Sequence, residues 1–222
     1  LYGFKGGFDR AGLTLCLKAG GYWPDNLEKR GLIDLQSTAF LFDPDTGKLR
    51  SLVGGNYLTA VRTAASSAVS IAHLARKDSK VLGMIGAGHQ STFQLRAAVE
   101  QRDFEKVVCW NFHPEQIPNL AAVAEELGLP FESVTREELC AQADVIITIT
   151  SAFEALIEKD WIKPGTHIAC MGTDTKGKQE VDAQLLTVAK VFTDELAQSI
   201  TIGEAQHAIS RKLIQQGEIV PI

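Results

Sequence analysis

Apolar residues follow one spacing in the first part of the chain and another in the rest. Up to residue 53 they come in short runs separated by turn residues. Residues 13–21 and 37–42 read as strands, with Lys5 plainly read as an exposed loop lysine before them. Asp43-Pro44-Asp45-Thr46-Gly47 reads as a tight turn, and residues 48–53 as the returning strand of a hairpin. Residues 57–76 switch to helical spacing, with Leu58, Val61, Ala65, Ala68, Val69 and Ala72 on one side. The alanines and serines crowded on this helix suit it to close packing against a neighbour.

From Lys80 onward strand and helix signals alternate. Strands are predicted at 81–85, 106–110, 131–134, 145–150, 167–171 and 191–193. Helices are predicted at 90–101, 118–127, 137–143 and 182–189. Repeated βα units imply a parallel sheet covered by helices on both faces. A further helix over 202–214 is expected to lie beyond the sheet and return to the first domain. The expected organisation is therefore α/β: a smaller α+β domain over 1–78, a doubly wound parallel domain over 79–195, and a helical return over 196–222.

Composition narrows the function class. The 222 residues are 45% hydrophobic and 22% charged, enough apolar material for a sizeable core and too little net charge for disorder. Lysine and arginine total 22 against 27 acidic residues, a net charge of -5. Without a basic run, neither nucleic acid nor an anionic membrane is an expected partner. Apolar runs stop well short of the ~18 residues that cross a bilayer. Cys16, Cys109, Cys140 and Cys170 form no C-x-x-C pair. They are expected to be small buried hydrophobes in a reducing, cytoplasmic compartment, with no metal site. A chain that begins at Leu1 is expected to be a fragment or the ordered part of a longer protein.

The candidate chemistry begins at Gly86-Ala87-Gly88-His89-Gln90-Ser91, directly after a predicted strand and at the start of a helix. In that context the first glycine permits a tight turn, the second admits a pyrophosphate to the backbone, and the helix amides hold it. Ser91 stands where glycine or alanine is usual. The motif points to a Rossmann-type dinucleotide domain; a glycine turn that binds nothing is the alternative. Asn111 ends the second strand, at the ribose position. An aspartate there would indicate NAD, and an arginine nearby NADP. With neither present, NAD is preferred for want of a phosphate grip, His113 being the one candidate for such a grip, and NADP stays open.

Three strings occur in order: Leu58-Thr59-Ala60-Val61-Arg62-Thr63-Ala64-Ala65, then Gly86-Ala87-Gly88-His89-Gln90, then Gly172-Thr173-Asp174-Thr175-Lys176-Gly177-Lys178-Gln179-Glu180-Val181-Asp182. Together they resemble the ornithine cyclodeaminase/μ-crystallin family of nicotinamide-dependent enzymes, over about residues 18–204. The first and last strings are specific, whereas the glycine turn alone is not. The resemblance implies an NAD(P)H-dependent imine reductase or amino-acid dehydrogenase that forms a homodimer through its first domain.

The same resemblance assigns roles. Lys18 and Arg62 match groups at the substrate carboxylate, and Arg62 also reaches the cofactor. Asp174 matches the catalytic aspartate, with Lys18 beside it in the catalytic set. Lys178 matches a lysine beside the substrate. Gly86, Gly88, His89 and Gln90 match the pyrophosphate turn, Asn111 the ribose position and Thr150 the adenosine half. Ile168, Ala169, Cys170 and Met171 match the nicotinamide wall. Each has a plainer reading. Lys18 and Lys178 suit a solvated surface, Arg62 a helix salt bridge, and Asp174 a turn. His73 and His207 read as ordinary helix residues, and Trp23 and Trp161 as packing.

An ungapped count of thirteen residues back from Lys18 reaches Lys5, where ornithine cyclodeaminases carry a glutamate near the substrate amino group. The reversed charge opposes an amino-rich substrate and favours a second carboxylate. Among family activities this points to reduction of iminosuccinate to L-aspartate. Ornithine cyclodeamination, alanine dehydrogenation and cyclic ketimine reduction remain alternatives, as does a non-catalytic binding protein like μ-crystallin in the lens. The intact Gly172-Thr173-Asp174 and Gly177-Lys178 favour an enzyme.

Overall fold

The computed structural model describes residues 2–23 and 25–222, with only the backbone of Leu27. The chain forms two compact units, Leu1–Arg62 and Thr63–Ile222. They part inside one long helix rather than near residue 78. The second half of that helix gives Ile71 and Ala75 to the core of the second unit, so burial overrides the loop signals that follow it.

The first unit is an antiparallel sheet whose strands run in chain order: β1 (Tyr2–Asp9), β2 (Thr14–Tyr22), β3 (Leu35–Phe42) and β4 (Leu49–Gly54). Helix α1 (Asn26–Arg30) lies between β2 and β3, and α2 (Gly55–Leu74) follows β4. β1 places Lys5 on a strand rather than in a loop. Glycines at 3, 6 and 7 interrupt its alternation, yet it pairs with β2 along its whole length. The predicted hairpin turn is present, with Asp43 Oδ1 accepting the amides of Asp45 and Thr46 at 3.0 and 2.9 Å.

Cross-strand partners share a face, so the register sorts the sheet into two surfaces. Lys5, Lys18 and Ala39 lie on the face covered by the first turns of α2. There Lys18 Nζ meets Thr59 Oγ1 at 3.2 Å, and the Ser37 amide donates to Asn56 Oδ1 at 2.7 Å. The other face carries Tyr2, Phe4 and Phe8 beside Leu15, Leu17, Phe40 and Leu52. Tyr2, Phe4 and Leu52 are 78%, 71% and 61% exposed.

The second unit holds five parallel strands: β5 (Val81–Ile85), β6 (Lys106–Trp110), β7 (Phe131–Ser133), β8 (Val145–Thr148) and, after a short β9 (Phe153–Ile157), β10 (His167–Cys170). The intervening helices are α3 (His89–Val99), α4 (Ile117–Glu126) and α5 (Arg136–Gln142). The strand order is β10-β8-β5-β6-β7, the doubly wound arrangement. Alternate strand residues feed two cores. Leu82, Met84, Val107, Val145 and Ile147 face α3, α4 and the end of α2, whereas Ile85, Val108 and Ile146 face α5 and the C-terminal segments.

Two expectations change in the last quarter. β11 (Gln179–Val181) pairs with β9 outside the main sheet, and β12 (Phe192–Thr193) pairs with β13 (Val220–Pro221) instead of extending that sheet. A short helix, α6 (Leu196–Ser199), precedes the range 202–214, and within that range only α7 (Gln206–Ser210) is α-helical. At the break the Ile202 and Gly203 amides fold back onto the Gln198 carbonyl, and Gly203 lies too close to Ser199 for any side chain. Ala205, Ala208, Ile214 and Ile219 are buried in the second unit's own core.

The end of α2 is closed by a guanidinium from another element. Arg102 Nη2 donates to the carbonyls of Ile71, Ala72 and Ala75 at 2.8, 3.2 and 2.7 Å, and Nε to that of Arg76 at 2.9 Å. The Ile71 carbonyl also takes the Ala75 amide at 3.2 Å, and the guanidinium adds a donor where the helix ladder runs out and meets the negative end of the helix dipole. Arg102→Ala is expected to lower stability by about 2–3 kcal/mol in urea unfolding, with Arg102→Lys recovering only part of it. An unchanged midpoint in the alanine variant would show the guanidinium to be idle.

Candidate active site

Open α/β sheets bind ligands beyond the carboxyl ends of their strands where the strand order reverses, here between β5 and β8. The glycine turn stands there. Gly86 has φ +110°, and a Cβ on it would lie 2.6 Å from the Ile149 carbonyl oxygen, so only glycine fits. A Cβ on Gly88 would meet nothing nearer than Gln116 Oε1 at 3.8 Å. α3 has no capping side chain, which leaves its first amides for an anion. Ser91, at the third glycine position, is fully buried and donates its hydroxyl to the Gly88 carbonyl at 2.7 Å. These features fit a dinucleotide pyrophosphate.

The neighbours of this turn are less uniform. His89 is exposed and stands edge-on to Phe93, with ring centres 5.5 Å apart. Gln90 Oε1 is buried without a hydrogen-bond partner among the described residues. Asn111 braces the turn. Its Oδ1 accepts the Ala87 amide at 3.1 Å, and its Nδ2 donates to the His113 carbonyl and Gln116 Oε1 at 2.8 and 3.2 Å. His113, in turn, lies 3.3 Å from Glu115.

Beyond β8 and β10 the chain gathers ionisable groups. Lys178 Nζ bonds Asp174 Oδ1 at 2.8 Å and the Gly172 carbonyl at 3.3 Å; Asp174 is largely exposed and Lys178 largely buried. Glu180, on β11, is fully buried. Its Oε1 accepts from the Thr150 amide and hydroxyl at 2.7 and 2.8 Å, and its Oε2 from the Thr148 hydroxyl and the Gly172 amide at 2.8 Å each. Burial, with Glu204 nearby, pushes the Glu180 carboxyl up to about 7 against the pull of these donors. A Cβ on Gly172 would lie 2.2 Å from the Thr150 carbonyl oxygen, so this glycine is obligatory too. α7 supports the loop, with Gln206 Oε1 accepting the Gly177 amide at 2.7 Å and His207 bonding the Lys178 carbonyl at 3.0 Å. His207 is therefore more than an ordinary helix residue.

The expected nicotinamide wall is mostly core. Ile168 and Cys170 pack into one hydrophobic cluster, and Ala169 and Met171 into or against the other. Only Cys170 and Met171 stand at the carboxyl end of β10, where a ligand sits; Ile168 and Ala169 are farther back along the strand.

The remaining predicted residues lie in the first unit. Lys5 and Lys18 are direct cross-strand partners on one face. Burial, then the like charges of Arg62 and Lys5, hold the Lys18 ammonium below the usual lysine value. Three cations thus crowd one surface, and an anion is the natural relief of their repulsion. Glu180, Glu204, Gly172 and Thr148 carry no assigned role in the sequence reading. Glu180 and Gly172 stand in the last of the three strings, but burial, which gives them their chemistry, is not visible there.

The sequence model of the ornithine cyclodeaminase/mu-crystallin family matches residues 9–221. Iminosuccinate reductase of Paracoccus denitrificans is 62% identical over 99% of this chain and 68% of its own length. Its structure in complex with NAD+ superposes with a TM-score of 0.93, at 61% identity, over the same shares of the two chains. The structure of Thermococcus litoralis Delta(1)-pyrroline-2-carboxylate reductase with NADH and L-proline gives a TM-score of 0.93 at 30% identity, over 98% of this chain and 68% of that one. Alanine dehydrogenase of Archaeoglobus fulgidus is 33% identical over 86% of this chain and 59% of its own length, so this chain spans three-fifths to two-thirds of these relatives. With the three strings, the strand order and a match over nearly its whole length, the chain belongs to the ornithine cyclodeaminase/mu-crystallin family.

Proposed function

We propose that this protein is a nicotinamide-dependent imine reductase that converts iminosuccinate to L-aspartate with NADH. The observation that carries the substrate is Lys5 set directly across from Lys18, with Arg62 within electrostatic reach of Lys18. One carboxylate does not need three cations, whereas a dicarboxylic imine does. The strong identity to iminosuccinate reductase supports the same reading.

In this reading each residue has a defined task. Lys18 and Arg62 hold the α-carboxylate, and Lys5 takes the distal one. Gly86, Gly88 and the first turn of α3 hold the pyrophosphate of the dinucleotide, and Asn111 keeps that turn in shape. When bound, NADH supplies the hydride that the imine carbon accepts. Asp174 exchanges the proton at the substrate nitrogen, and Lys178 fixes its carboxylate. NAD suits the β6 end better than NADP, because Glu115 beside His113 would repel a 2′-phosphate. The free thiols of Cys16, Cys109, Cys140 and Cys170 suit the cytoplasm. None of the described helices is long and apolar enough to cross a membrane.

A homodimer belongs to the proposal. The apolar face of Tyr2, Phe4, Phe8 and Leu52 is larger and more aromatic than an isolated sheet leaves to water, and a second copy of the chain is its occupant. An archaeal alanine dehydrogenase, 31% identical in its structure, is a dimer with bound NAD.

The deciding assay follows NADH oxidation by the full-length protein with oxaloacetate plus ammonium, beside pyruvate plus ammonium, a cyclic ketimine, and ornithine with NAD. Fast oxidation with aspartate as product is expected only in the first mixture. Ammonia from ornithine without net cofactor change would replace the reductase with a cyclodeaminase. Lys5→Glu is expected to lose about tenfold to a hundredfold in kcat/KM for the dicarboxylic imine; retained preference would sink the charge argument. Asp174→Ala is expected to abolish turnover with NADH binding intact, and unchanged turnover would remove Asp174 from the chemistry. In light scattering, Phe4→Glu is expected to convert the dimer to monomer, whereas an undisturbed dimer would move the interface elsewhere.

A further inference from the structure

We propose that Glu180 is a positioning residue: its carboxylate ties the loop carrying Asp174 to the end of β8, and only its ionised form holds both anchors. This deepens the reductase reading and rests on it for the role of Asp174.

The loop Gly172-Thr173-Asp174 is held by ionisable side chains at every residue. Glu180 Oε2 takes the Gly172 amide, and the Lys178 ammonium takes the Gly172 carbonyl and the Asp174 carboxylate. Glu204 accepts the Thr173 hydroxyl, and its Oε1 also takes the amides of Glu180 and Val181 at 2.9 and 2.8 Å. Glu180's other oxygen takes the amide and hydroxyl of Thr150. The same stretch backs the glycine turn, since a Cβ on Gly86 would strike Ile149 and Thr150. A single carboxylate therefore joins the end of β8 to the loop after β10.

Four donors aimed at two oxygens suit an ionised carboxylate, which only accepts. Two of the four, the Thr150 and Gly172 amides, cannot turn away. A proton on Oε1 faces the Thr150 amide, and a proton on Oε2 faces the Gly172 amide, so protonation weakens one anchor in either case. The Thr148 and Thr150 hydroxyls can reverse and accept that proton, which lets the neutral form exist in the fold. The other ionisable groups facing Glu180 are Glu204, before α7, and the Cys170 thiol on β10. Glu204 disfavours its charge, and neither supplies a cation. Glu180 consequently titrates near neutrality, with the loop held firmly above that range and loosely below it.

The test compares wild type, Glu180→Gln and Thr148→Val from pH 5.5 to 8.5, each with the imine the wild type reduces. Ratios of kcat at equal pH cancel the pH dependence of the imine itself. In Glu180→Gln the amide group must face one of the two backbone donors. Its kcat is expected to fall roughly tenfold or more, with the acid limb lost and NADH affinity, read by fluorescence, within a few-fold of wild type. Thr148→Val keeps shape and removes one donor to the carboxylate, so its acid limb is expected at higher pH. Unshifted limbs in both variants would overturn the proposal. If Glu180→Gln does not fold, Thr148→Val still decides.

A second readout needs no substrate. The folded-state value of Glu180 is raised, so the stability it contributes is full below the unfolded carboxylate range and is lost as pH rises through about 7. Wild-type melting temperature is expected to fall across that window more than that of Glu180→Gln. Parallel curves would show that Glu180 does not titrate there. Failure with iminosuccinate would instead strike the substrate reading and leave these curves to judge Glu180.

Discussion

The parallel pairing of β5 with β8 at the centre of the second unit governs what that unit can do. It sets two strand ends side by side at the point where the strand order reverses, where open α/β sheets place their ligands. At the far end of the pair, Asp144 Oδ2 accepts the amides of Lys80 and Val81, and its Oδ1 meets Arg76 and Lys163 at 2.9 and 3.0 Å. Clamped at that end, β5 delivers Gly86 directly against Ile149, and the turn has one available shape. The cradle for a dinucleotide is thus a consequence of strand order, and the glycines are the residues that this order tolerates.

The loop after β10 depends on the same pairing in a different way. Its backbone is held by charged side chains rather than by the sheet, and the carboxylate of Glu180 among them is fully buried. Such an arrangement costs free energy unless its donors are complete, which explains why Thr148, Thr150 and Gly172 all turn toward it. The first unit shows the complementary strategy. Lys5, Lys18 and Arg62 share a surface at the expense of mutual repulsion, an expense that an anionic ligand offsets.

Much of this was legible in the residues and some of it was not. Alternating strands and helices from Lys80 announced the parallel sheet, because a fully buried strand must be apolar and a covering helix must be amphipathic. The glycine turn was legible because its backbone geometry excludes other residues. Lys5 illustrates the limit of such reading: its strand was taken for a loop, since glycines blurred the alternation of Tyr2, Phe4 and Phe8, and only the register sets it across from Lys18. The C-terminal segments were misread because helical spacing over 202–214 says nothing of the turn that Gly203 makes against Ser199.

The sequence by itself determined the fold class, the dinucleotide turn and the family strings, since each rests on local periodicity or on backbone shapes that few residues allow. Only the tertiary structure decided that Lys5 faces Lys18, that Asn111 is spent on bracing, and that Glu180 is sealed among four donors. Cross-strand register and burial are long-range properties. A charged side chain's chemistry is set by which distant residues surround it, and neighbours in sequence do not record that.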